Sequence, residues 1–411
     1  MERSQRQIIK LLNLAIHGEK LSDFKSISKW NEIMCEANAH EISALIYSSI
    51  YGIKSLEGLS REEFNQWKKS TFFTGVGQIS HYNQVGKLLE KFNEENIDVI
   101  VLKGLVVRDL YPKPEFRTMG DSDVLVHEED LERVTELLQE LGYKLEECED
   151  EHGAHLVFSH EKYRHVEVHW TLVNDDYFIG TKEFEKDIWK NSMKIKIVKA
   201  EVLSLGWEDL ALHLCLHMAV HIVCGGFGLR QLCDLVLLVE QKGDEINWES
   251  FMFKAIECGA EKFILAIFKC CEELFNIEIP MEISNSGSVE NDELVEDLIQ
   301  NIFNSGVFGK KDVIGTLGAD FAYSKDEKEK KRSISEKYLE LVFPKVENMS
   351  EKYKYAQDNK ILIPVAWAHH LGAGVLNKDY SLKNKIRFLT KSVTVSKKKR
   401  KLLEELNLTK K

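Results

Sequence analysis

The 411-residue sequence has no CxxC pair and no cysteine spacing that would suit a disulfide scaffold. Its eight cysteines are scattered, and several (Cys215, Cys233, Cys258) fall within helical apolar patterns. Cys270 and Cys271 are adjacent, which is awkward for a simple bridge. Buried, reduced thiols are the expected state. Proline is scarce too: there are five, and Pro112, Pro114 and Pro280 punctuate visible transitions. No run approaches the ~18–20 apolar residues needed to span a bilayer. The opening MERSQRQIIKLLNLAIHGEK has no apolar stretch followed by a small-residue cleavage site. A cytoplasmic protein with no membrane partner is therefore expected. Excess positive charge is also missing, since 55 Lys and Arg against 67 Asp and Glu leave a net charge of -12. An acidic body does not attract a nucleic-acid backbone, so nucleic acid is not the expected partner. The exception is the run Lys397, Lys398, Lys399, Arg400, Lys401. It reads as a solvated tail or the exposed face of a last helix, with a phosphate-rich partner as the alternative.

What is present suits a globular chain, with 44% hydrophobic and 30% charged residues. The length fits two or three domains. Residues 1 to about 95 read as helical. Ser60 followed by Glu63 makes a capping box at the start of one long helix. The β-branched run at 97–102 then reads as a buried strand ended by Lys103-Gly104, and LVVRDLY as a short helix stopped by Pro112 and Pro114. DSDVLV at 121–126 is a second strand. EEDLERVTELLQELGY is an amphipathic helix with Gly142 as its C-cap. AHLVFSH and RHVEVHWTL are two further strands joined by a polar turn. From about 201 the pattern is helical again, weakening between 280 and 335 around ISNSGSVEND and KDEKEKKR. No internal repeat is present. The predicted fold class is α+β: a small mixed β-sheet core at 96–200, flanked by a helical N-terminal region at 1–95 and a helical C-terminal region at 201–411.

Chemistry concentrates in the acidic strands. Asp121 and Asp123 are two apart on a predicted strand, so both carboxylates point the same way. Glu167 alternates with Val166 and Val168, which face the core. If these strands are neighbours, three carboxylates converge. At ~4 Å and an effective dielectric of ~20, each like-charged pair costs on the order of 4 kcal/mol. Either a pKa rises sharply or a divalent cation sits between them. An all-carboxylate set is hard-oxygen coordination and favours Mg²⁺ or Mn²⁺ over zinc. Such a site points to phosphoryl chemistry.

The order of these pieces resembles the DNA polymerase beta-type nucleotidyltransferase superfamily. More closely, it is similar to the family of uncharacterised nucleotidyltransferases. The resemblance runs through VIVLKG at 99–104, RTMGDSDVLV at 117–126, LGY at 141–143 and VEVHWTL at 166–172. It extends into LRQLCDLVLLV at 229–239 and INW at 246–248, covering roughly residues 25 to 275. It implies an NTP donor and transfer of a nucleoside monophosphate to an acceptor hydroxyl, releasing pyrophosphate. The acceptor would be a small molecule, a peptide or a protein. By the same resemblance Asp121 and Asp123 bind both metals, while Glu167 ligates the catalytic metal and helps activate the acceptor. Lys103-Gly104 stands where the superfamily has a Gly-Ser or Gly-Gly pair. There the glycine permits close backbone approach to phosphate, helix N-terminal N–H groups favour anions, and Lys103 adds positive charge. A catalytically silent nucleotide-binding or interaction module is the alternative reading, and a hydrolytic phosphoesterase is a third.

Other residues leave alternatives open. Arg117, just before the DSDVLV strand, either contacts phosphate or forms a salt bridge. His169 shares a face with Glu167 and either orients it or is structural. His213, His217 and His221 recur every four residues, with Cys224 just beyond. They line an interface or acceptor pocket, or belong to the core, more readily than they bind zinc. Arg230 and Asp234 read as a helix-surface ion pair, with Asp234 facing the cleft as the alternative. Gly225-Gly226-Phe227-Gly228 reads as a flexible connection.

Overall fold

A computed structural model describes residues 1–146, 155–173, 177–287, 292–307, 355–356, 360–367, 369 and 395–409. The chain forms two compact units. Met1–Ile222, Gly226–Lys311 and Leu406–Lys411 make the first, and Val223–Gly225 with Asp312–Glu405 the second. In the second, Ala356 and Ala366 are buried among Tyr355, Leu362, Ile363 and Trp367. Residues 395–405 are helical there. The basic run lies on this helix, where Arg400 and Lys401 pair with Glu404 and Glu405 one turn on. The charge run at 325–332 lies outside the described residues.

The first unit opens with helices α1 (Arg3–Ile16), α2 (Trp30–Ala39), α3 (Ser43–Ser49) and α4 (Arg61–Glu94). The predicted capping box starts α4: Ser60 Oγ accepts from Glu63 N at 3.1 Å, and Ser60 N donates to the Glu63 carboxylate at 2.9 Å. The sheet and its connections follow as β1 (Ile100–Val101), α5 (Gly104–Val107), β2 (Asp121–Leu125), α6 (Leu131–Glu140), β3 (Lys144–Leu145), β4 (His155–Ser159) and β5 (His165–His169). Gly142 ends α6 at φ +88°, as its place in the sequence predicts. After α7 (Thr181–Glu185) come β6 (Met193–Ile197) and β7 (Ala200–Ser204). This hairpin departs from the sequence reading, which turned helical at 201; its period-two alternation makes it a strand pair instead. Helices α8 (Trp207–Cys224), α9 (Leu229–Lys242), α10 (Trp248–Glu257), α11 (Glu261–Phe275), α12 (Met281–Ser286) and α13 (Asp292–Ser305) complete the unit. Among the described residues no helix is long and apolar enough to cross a membrane.

The seven strands form one mixed sheet in the order β3-β4-β5-β2-β1-β7-β6. Two of its contacts are parallel, β2 with β5 and β1 with β7. The α+β expectation therefore matches the observed architecture. Against β2, α4 donates a hydrogen bond from Gln78 to the Met119 carbonyl and sets His81 Nε2 3.2 Å from both the Asp121 carbonyl and Ser122 Oγ. Burial pushes the His81 pKa down to about 4, so a neutral ring braces the strand start. On the C-terminal side, α9 is buried from Leu229 through Val239, surrounded by helices rather than resting on a surface.

The glycine-rich turn before α9 is packed rather than flexible. Gly226 sits at φ +138°, and a Cβ there would lie 2.2 Å from the Ser305 side chain. At Gly228 a Cβ would meet Val307 at 2.8 Å and His40 at 3.0 Å. Close backbone approach, not mobility, requires glycine here. Gly226→Ala is expected to destabilise the first unit by on the order of 3 kcal/mol through strain and overpacking. Gly52→Ala, at φ +96° with nothing within 4 Å, carries the conformational cost alone and should lose less. Urea denaturation of the two variants, followed by fluorescence, checks the difference.

Candidate active site

The site is assembled by strand register. β2 and β5 run parallel with Asp121 opposite His165, Asp123 opposite Glu167 and Leu125 opposite His169. Because partners across a ladder point to the same side, Asp121, Asp123, Glu167 and His169 share one face. Val124, Val166 and Val168 fill the other face and are buried. β4 extends the grid, placing His155 opposite His169 with ring centroids 4.8 Å apart. The loop after β5 is fixed by Glu185, whose carboxylate accepts from Leu172 N, Val173 N and the Thr171 hydroxyl.

Within this face, ligand atoms of Asp123, Glu167 and His169 lie within 4.8 Å of one another. His169 Nε2 is 3.5 Å from Asp123 Oδ1 and 3.6 Å from Glu167 Oε2. These distances exceed good hydrogen bonds, and both Asp123 Oδ1 and His169 Nε2 are buried without a hydrogen-bond partner. Lys103, entering from the end of β1, puts Nζ 3.3 Å from Asp123 Oδ2. Asp121, one step along β2, lies outside the tightest group.

The charges follow from these positions. Burial alone would raise the Asp123 pKa, but Lys103 and then His169 outweigh it and hold the carboxyl well below the usual range. Asp121 has less help. Burial, then the neighbouring Asp123 and Glu167 charges, push it from 3.8 up to about 6. Burial opposes a charge on His169, yet the two carboxylates beside it raise its pKa.

Three expected site features are placed differently. The Arg117 guanidinium is buried and forks onto Asp234, with Nη2 at 2.6 Å from Oδ2 and Nε at 3.1 Å from Oδ1. Tyr111 donates to the same Oδ1 at 2.8 Å. Arg117 thus forms the salt bridge that was one of its two expected roles, buried and with Asp234 as partner. Gly104 is buried as well: a Cβ there would lie 2.7 Å from Arg117 Nη1. The missing side chain gives Arg117 its place. Arg230 does not bond Asp234; its Nη1 donates to Glu41 at 2.8 Å and to the Thr118 carbonyl at 2.8 Å. Both residues of the expected surface pair are buried and engaged elsewhere.

The α8 histidines sit close enough to the site to feel the charges of Lys103 and Asp123. Burial, then Lys103, pushes His213 down to about 3, His221 to about 4 and His217 well below its usual value. His217 and His221 face each other with Nε2 atoms 3.0 Å apart. Both ring nitrogens of His213 are buried without partners. They form a neutral imidazole row, outside the carboxylate-imidazole group that is the one metal-sized cluster among the described residues.

A residue missed in the sequence is Arg164, immediately before β5. It is half-buried and close enough to Asp121 and Glu41 for their charges to raise its pKa against a larger lowering by burial. Its Nη2 lies 3.8 Å from where a Cβ on Gly77 would sit. Among the described residues it makes no ion pair. Only the register shown here could have singled it out.

The raised Asp121 pKa sets a pH dependence. The unfolded chain ionises this carboxyl near 3.8 and the folded protein near 6. The cost of burying this charge, and then of its repulsion by Asp123 and Glu167, is therefore absent below the lower value and fully developed above the higher one. In a chelator, wild-type thermal stability should fall relative to Asp121→Asn as pH rises from 4 to 7, with the two converging at the acidic end. Parallel melting curves that never diverge would contradict this.

No curated protein matches the chain. Among solved structures, that of the antibiotic-resistance factor ANT(2″)-Ia, titled for its substrate-regulated conformation dynamics, is similar at 13% identity and a TM-score of 0.31. The similarity covers 41% of this chain and 87% of that one. The family described as "Uncharacterised nucleotidyltransferase" matches residues 26–276, which span α2 to the end of α11 and contain every site residue above. By that match, over more than half its length, the chain belongs to the uncharacterised nucleotidyltransferase family.

Proposed function

We propose that this protein is a divalent-metal-dependent nucleotidyltransferase that moves a nucleoside monophosphate from an NTP to an acceptor hydroxyl and releases pyrophosphate. The observation that carries the reading is the β2–β5 register, which sets Asp123 beside Glu167 on a largely buried face with Asp121 one step away. The residues fit a divalent cation. They offer hard carboxylate oxygens, and Asp123 Oδ1 is buried with no hydrogen-bond partner. Asp121, Asp123 and Glu167 would hold Mg²⁺ or Mn²⁺. When bound, the ion supplies charge neutralisation at the triphosphate and makes the acceptor hydroxyl more acidic.

The chain's own residues divide the remaining work. Glu167, the most exposed carboxylate of the tight group, accepts the acceptor's proton. The freed oxygen bonds to the α-phosphorus while the bond to the β-phosphate oxygen breaks, and pyrophosphate leaves with that electron pair. Lys103 balances charge beside Asp123. Arg164 takes the phosphate-facing part expected of Arg117, because it is half-buried near Asp121 and makes no ion pair among the described residues. Gly104, Arg117, Tyr111 and Asp234 act as a buried brace that positions the loop leading into β2. The neutral histidines of α8 favour a polar, uncharged neighbour such as a hydroxylated acceptor. We assign the catalytic core to the sheet at residues 96–204, with helices α1 to α4 and α8 to α11 of the same unit supplying the acceptor and base pockets.

Incubation with each α-labelled NTP, Mg²⁺ and clarified cell extract tests the reading. Wild type should release pyrophosphate and label one class of acceptor. The Asp121→Asn/Asp123→Asn double variant should lose at least ~10²–10³-fold in rate. Arg164→Ala should weaken NTP binding by about tenfold or more, the loss of a charge-assisted hydrogen bond. Release of nucleoside monophosphate with no labelled acceptor would replace transfer by hydrolysis. Failure to bind any NTP would overturn the enzyme reading.

A further inference from the structure

The carboxylate face contains a nitrogen donor as well as oxygens. His169 is two residues beyond Glu167 on β5, so strand alternation returns it to the same face. Its Nε2 lies 3.5 Å from Asp123 Oδ1 and 3.6 Å from Glu167 Oε2. No other set of described side chains brings three potential metal donors together this way. Two of the three atoms are unusual for a folded interior. Asp123 Oδ1 and His169 Nε2 are buried and lack any hydrogen-bond partner, with the Asp123 side chain 6% exposed. These two atoms meet each other only at a long ion-pair distance, and buried polar atoms left without a hydrogen bond are a cost unless something between them satisfies them. The ring is also held in place: His155 lies against it from β4 at 4.8 Å between centroids, and Leu125 stands opposite it on β2.

We infer that His169 is itself a metal ligand through Nε2, and that this two-carboxylate, one-imidazole set selects Mn²⁺ over Mg²⁺. Mg²⁺ is small, hard and bound almost wholly by oxygen, with several retained waters. Mn²⁺ is the weakest imidazole binder of the first-row divalent ions, yet it is larger and softer than Mg²⁺ and keeps less ideal an oxygen shell. Replacing one oxygen donor by nitrogen therefore costs Mg²⁺ more than Mn²⁺. The inference rests on reading Asp123 and Glu167 as ion ligands, and it adds the donor that discriminates between ions. His155 is a positioning residue for the ring.

Pulsed electron paramagnetic resonance of Mn²⁺ added to the full chain, without nucleotide, reads the ligand directly. Wild type should show nuclear modulation from a directly bound imidazole nitrogen, and the lines should move to ¹⁵N frequencies when the protein is grown with ¹⁵N-histidine. His169→Gln should abolish the modulation while Mn²⁺ still binds, weakened by about 10–100-fold. Competition should require at least about tenfold more Mg²⁺ than Mn²⁺ in wild type and a smaller excess in His169→Gln. Should that variant not fold, modulation that survives replacement of each neighbouring ring, His155, His213, His217 and His221, by Gln assigns the nitrogen to His169, and its loss in any one of them overturns that assignment. Mn²⁺ binding that is lost in Asp123→Asn but shows no histidine modulation would overturn the nitrogen ligand and leave the metal reading intact. Modulation that persists in His169→Gln would overturn it as well. Absence of any Mn²⁺ binding sensitive to Asp123→Asn would remove both.

Discussion

Like charge held side by side across a parallel strand pair is the constraint that orders the rest of the site. The pairing of Asp123 with Glu167 cannot be relaxed by moving one side chain, because ladder register sets both. Slipping β5 by one residue would turn Val166 and Val168 out of the core. Hydrophobic burial on one face therefore enforces repulsion on the other. Burying such side chains contributes ~1.5–3 kcal/mol each, comparable to the ~4 kcal/mol of one like-charged pair at an effective dielectric of ~20. The fold can sustain the site, but not without some compensation.

Part of that compensation comes from the protein. Lys103 sits 3.3 Å from Asp123, and His169 lies between Asp123 and Glu167. Together they leave Asp123 strongly ionised, while Asp121 remains the carboxyl the surroundings serve least. A pKa displaced in this way marks a place that suits an added positive charge. Further out, a second set of charges is paired. Arg117, Tyr111 and Asp234 close on one another, and Arg230 joins Glu41 to Thr118. Buried pairs of this kind add little net stability, yet removing one partner leaves an uncompensated charge. Their effect is positional. They tie the segment before β2 to α9 and to the turn between α2 and α3.

Much of this was legible in the sequence, and the physical reason differs by element. Alternation along DSDVLV and VEVHW told which side chains share a face, since period two is a local property of strands. The Ser60–Glu63 box and the Gly142 cap were equally local. Strand neighbours were not local, and the parallel β2–β5 contact was assumed until the register showed it. The β6–β7 hairpin carried an alternating pattern that the surrounding helical signal obscured. Arg117 and Asp234 are 117 residues apart, so nothing at either position announced their pairing. The neighbouring Arg230 offered Asp234 a nearer partner at helical spacing, which drew the expectation away. The turn holding Gly226 reads as a flexible connection, whereas Gly226 is a close contact that only the folded neighbours reveal.

The central claim is that the β2–β5 face is built around a cation. Crystals of the wild-type protein soaked in Mn²⁺ and measured for anomalous scattering at the manganese edge test it most directly. The account predicts an anomalous peak within bonding distance of both the Asp123 and the Glu167 carboxylates. Ordered carboxylates with no peak between them at saturating Mn²⁺, or a peak confined to other parts of the molecule, would contradict it.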